Sequence, residues 1–246
     1  MADGGGKPRL DSVWLSGDDE TRPRIGRNAG LTRAQLVTAA IRMLDTDGLS
    51  ALSMRRLAVE LGAAPMSLYW YVPTKSALLE YALDEALGGL QVERAQDGDW
   101  GRCCEKFAHD LRRVLRSRPW MTQLIGTYAL IGPNARRLSE ALLTTVEAGG
   151  FRPPHAYRAL STLLNYVVGF AADEVKWLEK LRNAGLDEEA LYAQWVPPFL
   201  DVIGDRYPKL RANLVASRSA DWDDQFSFGL GCMVDGLRAS AAHNGK

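Results

Sequence analysis

"APMSLYWYVPTKSALL", residues 64–79, is the stretch on which the reading of the whole chain turns. Pro65 and Pro73 bracket three consecutive aromatics, Tyr69, Trp70 and Tyr71, and Thr74 and Lys75 follow. Pro65 suits the first turn of a helix, where the missing N–H has no partner to lose. The residue before Pro73 is pushed out of the helical region, so the helix ends near Val72 after about two turns. So short a helix is unstable alone and must be held by its neighbours. Leu68 and Val72, four apart, can face inward. Consecutive helical residues point about 100° apart, so at most two of the three aromatics share a buried face. The spacing predicts Trp70 half in the core, with Tyr69 and Tyr71 more exposed.

Helix signals surround this stretch. Thr32 followed by Gln35 is a capping box, and Leu36, Ala40 and Leu44 continue one apolar stripe up to Gly48. Ser53 caps a second, short helix with Met54, Leu57, Ala58 and Leu61 on its apolar face, closed by Gly62. Thr74 caps a fourth helix carrying Leu79, Leu83 and Ala86. Helix, short helix, the turn Gly62-Ala63-Ala64 and a second short helix form a helix-turn-helix, whose second helix is presented to a major groove. Pro65, Met66, Ser67, Tyr69, Trp70 and Tyr71 then make the reading surface. The apolar groups suit thymine methyls, and Ser67 suits a base edge or phosphate. Ser53 and Arg55 at the start of the second helix and Lys75 at the start of the fourth address the backbone. The competing reading is an ordinary core stripe.

The chain has 246 residues, with 46% hydrophobic and 24% charged content, ordinary for a globular protein. Its 30 cations balance its 30 carboxylates. Between Thr21 and Ser76, however, eight cations face three carboxylates, so that segment carries +5 and the remainder −5. A basic end on an acidic body fits a polyanion partner, or chance bias on a solvated surface. The first residues contain no apolar core of signal-peptide length. No run approaches the ~18 apolar residues of a membrane span, so no membrane partner is expected. Cys103, Cys104 and Cys232 make no metal or redox spacing, and a reduced, cytoplasmic protein is expected.

Residues 31–83, "LTRAQLVTAAIRMLDTDGLSALSMRRLAVELGAAPMSLYWYVPTKSALLEYAL", resemble the DNA-binding domain of the TetR family of bacterial repressors. Weaker resemblance continues through "SRPW", "GPNARRLSEALL" and "YRALSTLLNYVVGFAADE" to "FSFGLGCMVDGLRAS", which is similar to the last helix of the tetracycline-repressor branch. The resemblance implies an all-α fold. It divides into a flexible basic arm (1–30), a helix-turn-helix domain with a linking helix (31–90), and a helical ligand-binding and dimerisation domain (91–246). It implies a homodimeric transcriptional repressor, bound to a palindromic operator in double-stranded DNA and released by a small-molecule effector. A regulator without a ligand is the alternative, and an all-helical enzyme a remote one. His109, His155 and His243 are scattered, and no nucleophile elbow or phosphate loop occurs.

From Trp100 onward the pattern is helical throughout, with Pro133, Pro154 and Pro208 at entries or breaks. Candidate effector residues are Leu124, Tyr128, Asn165, Phe170, Asp173 and Trp177. Asn165 is expected to be buried, and Asp173 and Glu174 to be solvated. Where the tetracycline repressor carries a magnesium-binding histidine, this chain has Leu124, so no metal or other cofactor is expected. Phe226, Leu230, Met233 and Leu237 recur at 4, 3 and 4, either as a dimer stripe or as ordinary core. Arg22, Arg24 and Arg27 in the arm are candidate minor-groove contacts, with an inert tail as the alternative.

Overall fold

The computed structural model of the chain describes residues 12–15, 31–96, 98–216 and 222–244. Among these the regular elements are helices and no strand is formed. They are α1 (Arg33–Asp47), α2 (Met54–Glu60), α3 (Pro65–Leu68), α4 (Lys75–Leu87), α5 (Trp100–Ser117), α6 (Trp120–Leu124), α7 (Pro133–Ala148), α8 (His155–Ala184), α9 (Glu188–Ile203), α10 (Pro208–Ala216) and α11 (Trp222–Asn244). The chain falls into two compact units, one of Met1–Arg94 with Ser117–Thr144, the other of Ala95–Arg116 with Thr145–Lys246.

In the first unit the caps stand where the sequence puts them. Thr32 Oγ1 accepts from the Gln35 amide at 3.2 Å while Gln35 Oε1 accepts from the Thr32 amide at 2.8 Å. Ser53 Oγ accepts from Arg56 N at 3.2 Å, and Thr74 Oγ1 from Ala77 N at 3.0 Å. Between α2 and α3 the chain reverses through Gly62 at φ +60°, a left-handed conformation that glycine adopts without a Cβ penalty. α3 is shorter than the two turns expected. Beyond Leu68 the bonding tightens, with Trp70 N on Ser67 O and Tyr71 N on Leu68 O. Leu68 and Val72 are fully buried, each worth about 1.5–3 kcal/mol of apolar burial, and they hold this small element down.

Residues 117–144 belong with this unit rather than with the C-terminal body, and buried polar contacts explain it. Trp120 is buried, and its Nε1 donates to Asp45 Oδ1 of α1 at 2.7 Å; Arg118 Nε donates to Asp45 Oδ2 at 3.3 Å. The buried carboxylate of Asp84, on α4, accepts from the Asn134 and Ala135 amides at 3.1 and 2.9 Å. Asp84 thus caps α7 from another helix, satisfying amides that have no partner within their own turn.

Part of the segment expected to be a free arm is attached. Val13–Leu15 forms a 3-10 turn, Ser12 Oγ donates to Glu80, and the Val13 amide reaches Glu80 Oε1 at 3.4 Å. Trp14 meets Tyr81 edge-on at 4.9 Å, and the Arg33 guanidinium lies 4.7 Å over the same ring. The remainder of that segment, including Arg22, Arg24 and Arg27, lies outside the described residues.

In the second unit α8 packs along α11. Leu160, Leu163, Val167, Ala171 and Val175 of α8 and Phe226, Leu230 and Val234 of α11 are buried. The helices come close at Gly229, where a Cβ would stand 2.3 Å from the Tyr166 hydroxyl. That hydroxyl donates to Phe226 O at 2.9 Å. Two expectations are reversed here. Asn165 is exposed, because it lies about 200° round the helix from Leu163 and Val167, both of which face the core. Glu174 is only 1% exposed, because Arg112 of α5 meets it.

Candidate nucleic-acid interface and effector cluster

α3 projects a nearly unpaired surface. Met66 is 74% exposed, Trp70 70% and Tyr69 41%, and Pro65 is also exposed, whereas Tyr71 is half-buried. This reverses the expected order, in which Trp70 was the most buried of the three aromatics. Once the chain tightens after Leu68, inward positions are taken by Leu68 and Val72, and Trp70 is thrown outward. Val59 of α2, 76% exposed, lies outside the sequence-predicted set, because its apolar type reads as core. Ser67 is half-buried and its hydroxyl donates to Ala64 O at 2.6 Å, so what it offers outward is an acceptor.

The cations divide into two sets. Arg56 pairs with Asp47, Arg42 lies 3.8 Å from Glu60, and Arg33 is engaged with Tyr81. Arg55 and Lys75 are exposed and have no carboxylate partner among the described residues. An uncompensated exposed cation keeps its full charge for a phosphate, whereas a paired one must first give up its carboxylate. Ser53 is exposed beside Arg55 and caps α2.

Of the effector candidates, Leu124 and Tyr128 belong to the first unit, buried and half-buried respectively. The other four are on α8 in the second unit, where Asn165 and Asp173 are exposed and Phe170 and Trp177 are half-buried. Phe170 joins an aromatic cluster. It meets Trp222 edge-on at 5.5 Å and Phe226 at 5.1 Å, and Tyr166 stacks on Phe226 at 5.5 Å. Under these rings runs a charge network. Arg112 Nε and Nη2 donate to the two oxygens of Glu174 at 2.7 and 2.8 Å, and Nη1 reaches Asp223 at 2.8 Å. Arg116 adds contacts to Glu174 at 3.2 Å and Asp223 at 3.6 Å. Burial works against the Arg112 cation, but the hydrogen bonds and charges of Glu174 and Asp223 outweigh it and raise its pKa above the ordinary arginine value. At Tyr166 burial acts the other way, raising the phenol above its ordinary value.

Arg112, Glu174 and Trp222 were absent from the sequence-predicted set. Arg112 and Glu174 are 62 residues apart, and neither carries a local sign of its partner. Trp222 opens α11 in "DWDDQF", where a large aromatic among carboxylates is itself a signal. Phe226 and Leu230, at 0% and 1% exposure, are core of their own unit and have no side-chain surface left for a second chain. Met233 and Leu237 are half-buried. Among the described residues no three His, Cys, Asp or Glu side chains gather as a metal site, and no helix is long and apolar enough to cross a membrane.

Comparison with known proteins gives one answer along the chain. Residues 36–82 match the family described as bacterial regulatory proteins, tetR family, and residues 94–241 match the tetracyclin repressor-like, C-terminal domain. The HTH-type transcriptional repressor DrrR1 of Streptomyces coeruleorubidus is 33% identical over 241 residues, covering 95% of this chain and 86% of the relative. ActR from Streptomyces coelicolor, solved in complex with actinorhodin, superposes with a TM-score of 0.75 at 29% identity, over 87% of this chain and 99% of that one. BioQ, solved with its double-stranded DNA operator, superposes with a TM-score of 0.58 at 25% identity, over 85% and 99% of the two chains. The chain belongs to the TetR family of bacterial regulatory proteins, a family of transcriptional regulators and not of enzymes.

Proposed function

We propose that the protein is a homodimeric repressor that grips a two-fold symmetric operator through α3 and releases it when a small molecule binds the C-terminal unit. The observation that carries the DNA half is the exposed row of Met66, Tyr69 and Trp70 on an element anchored by the buried pair Leu68 and Val72. Apolar groups that fold stability would bury are instead held out on a rigid base, as a major-groove reader requires. Pro65, Ser67 and Tyr71 border this row. Arg55, Ser53 and Lys75 flank it as backbone contacts, and Arg22, Arg24 and Arg27 remain candidate minor-groove contacts. DNA held by BioQ and actinorhodin held by ActR support operator and effector as the two ligands.

A two-fold operator calls for a two-fold protein. The side of α11 turned from the core carries Phe228, 76% exposed, and exposed Cys232, whereas half-buried Met233 and Leu237 fall back toward the side of Phe226 and Leu230. The matching side of α8 carries exposed Asn165, Gly169 and Asp173. We place the dimer contact on these outward sides rather than on Phe226 and Leu230. The effector acts by differential affinity for two arrangements of the dimer, only one of which spaces the reading heads for the operator.

The test is footprinting on DNA selected by the purified protein, with light scattering alongside. Two major-groove faces about one helical turn apart should be protected by a dimer. Phe228→Asp should give monomers that lose the two-fold footprint. A single half-site protected by a wild-type monomer would refute the reading.

A further inference from the structure

Two buried donors in the second unit lack partners. Among the described residues no group accepts a hydrogen bond from the indole nitrogen of Trp177 or from that of Trp222, although both nitrogens are shielded from solvent. A buried N–H without an acceptor costs free energy and is uncommon in folded proteins. These two border the same stretch of α8. Trp222 packs on Phe170 at 5.5 Å, and Trp177 follows Phe170 by seven residues, two turns later on the same side of the helix. Glu174 lies between them, covered by Arg112.

The surroundings restrict what could satisfy such donors. Arg112 is fully engaged by Glu174 and Asp223, and Arg116 turns to the same two carboxylates, so two cations and two anions cancel. Nothing in the cluster is left to neutralise an anionic ligand, and burying an unpaired charge is far costlier than burying a carbonyl. An ammonium group cannot accept from an indole N–H. Phe170, Phe226 and Trp222 supply ring faces and edges that suit a flat aromatic body.

The geometry points to an uncharged, flat aromatic ligand with carbonyl oxygens, held by hydrogen bonds from the Trp177 and Trp222 indoles to those oxygens. The inference rests on the effector-responsive reading and names the chemical class of that effector. Trp177 and Trp222 act as specificity residues: a carboxylate in place of a carbonyl is rejected because Arg112 is already bound.

The experiment uses the full-length protein with tryptophan labelled at the indole nitrogen. The probe is 1,8-dihydroxyanthraquinone, and its 3-carboxylate analogue is the charged comparison. Trp177→Phe and Trp222→Phe assign the two resonances while keeping an aromatic ring, and circular dichroism establishes that both variants are folded. Binding of the neutral probe should move both indole N–H signals downfield. Each variant should lose roughly five- to twentyfold in affinity by calorimetry, as expected for one lost hydrogen bond with an acceptor left unpaired. The carboxylate should bind at least about tenfold more weakly than the neutral probe. Unmoved signals, variants that bind like wild type, a tighter carboxylate or no binding of either compound would each overturn the assignment. Operator binding is measured in parallel. If the probe releases operator equally from wild type and both variants, effector response stands and this site falls. If the probe binds through both indoles and operator stays bound, the site stands and effector response falls.

Discussion

Tyr69 and Trp70 follow α3 with 41% and 70% of their surface exposed, while Phe226 packs among Tyr166, Phe170 and Arg112 with none exposed. Both groups are aromatic, yet they do opposite work. At α3 the apolar residues that hold the element, Leu68 and Val72, are separate from those it displays, so a displayed ring can change without loosening the fold. In the second unit the same rings hold α8 to α11 and also sit around the orphaned indole of Trp222. The reading head separates support from recognition. The C-terminal cluster combines them, so substitutions there should disturb stability and ligand response together.

The largest effect expected is from Phe226→Ala, which should cost about 3–5 kcal/mol of stability by chemical denaturation. Trp70→Ala, also an aromatic truncation, should shift stability by less than ~0.5 kcal/mol. It should nevertheless lose roughly 1–3 kcal/mol of operator affinity in a titration at fixed salt. Comparable stability losses at the two sites would break the distinction. Gly229→Ala tests the helix contact: the new methyl must displace the Tyr166 hydroxyl from Phe226 O, and a loss of about 1–3 kcal/mol is expected. Unchanged stability would show that α8 and α11 can separate freely at this point.

A smaller effect is expected at Lys75. Lys75→Ala should weaken all DNA sequences alike and lower the slope of log affinity against log salt by about one. A change of base preference instead would move Lys75 into the reading surface. The gentlest probe is thiol chemistry. Burial, with the charges of Cys103 and Glu105, pushes the Cys104 thiol up to about 12, so at pH 8 it stays protonated and unreactive. Cys232 is exposed on the outward side of α11. Alkylation of native protein at pH 8, read by mass spectrometry, should modify Cys232 before Cys104, and more slowly as the protein concentration rises and dimers form. Labelling of Cys104 at the same rate would show that the second unit opens readily.

How far the sequence could be read depends on the range of the interactions involved. Thr32 with Gln35, Ser53 and Thr74 are caps whose partners lie three residues away, and each is legible in the sequence and present in the structure. Leu68 and Val72 follow from helical spacing alone. The relative exposure of Trp70 and Tyr71 was not legible, because it depends on the chain tightening after Leu68, and a uniform helix of two turns misplaces both, while Tyr69 is exposed as expected. Asn165 was misread because an apolar neighbourhood in sequence is not one in space: its own direction on α8 faces solvent. Glu174 and Asp84 are carboxylates that ordinary statistics place outside, and each is buried by a partner about 50–60 residues distant. In the candidate effector region, Phe170 and Trp177 were legible as large residues on a long helix. Their neighbour Trp222 and the neutralising pair of arginines come from other helices and were not.

The attachment of Ser12 to Glu80 changes how the N-terminal segment should be dissected. A shortened chain beginning at residue 31 would lose more than positive charge. It would strip the hydroxyl from a carboxylate that is 4% exposed and take the Trp14 ring from Tyr81, two contacts on the helix that begins at Lys75. Weaker DNA binding by such a truncation would then have two indistinguishable origins, lost phosphate contacts or a loosened α4. Replacing Arg22, Arg24 and Arg27 in the intact chain separates them, since Ser12 through Leu15 stay in place. A truncation or fusion junction placed within Ser12–Leu15 therefore alters contacts to α4 in the DNA-binding half, and junctions should leave these four residues intact.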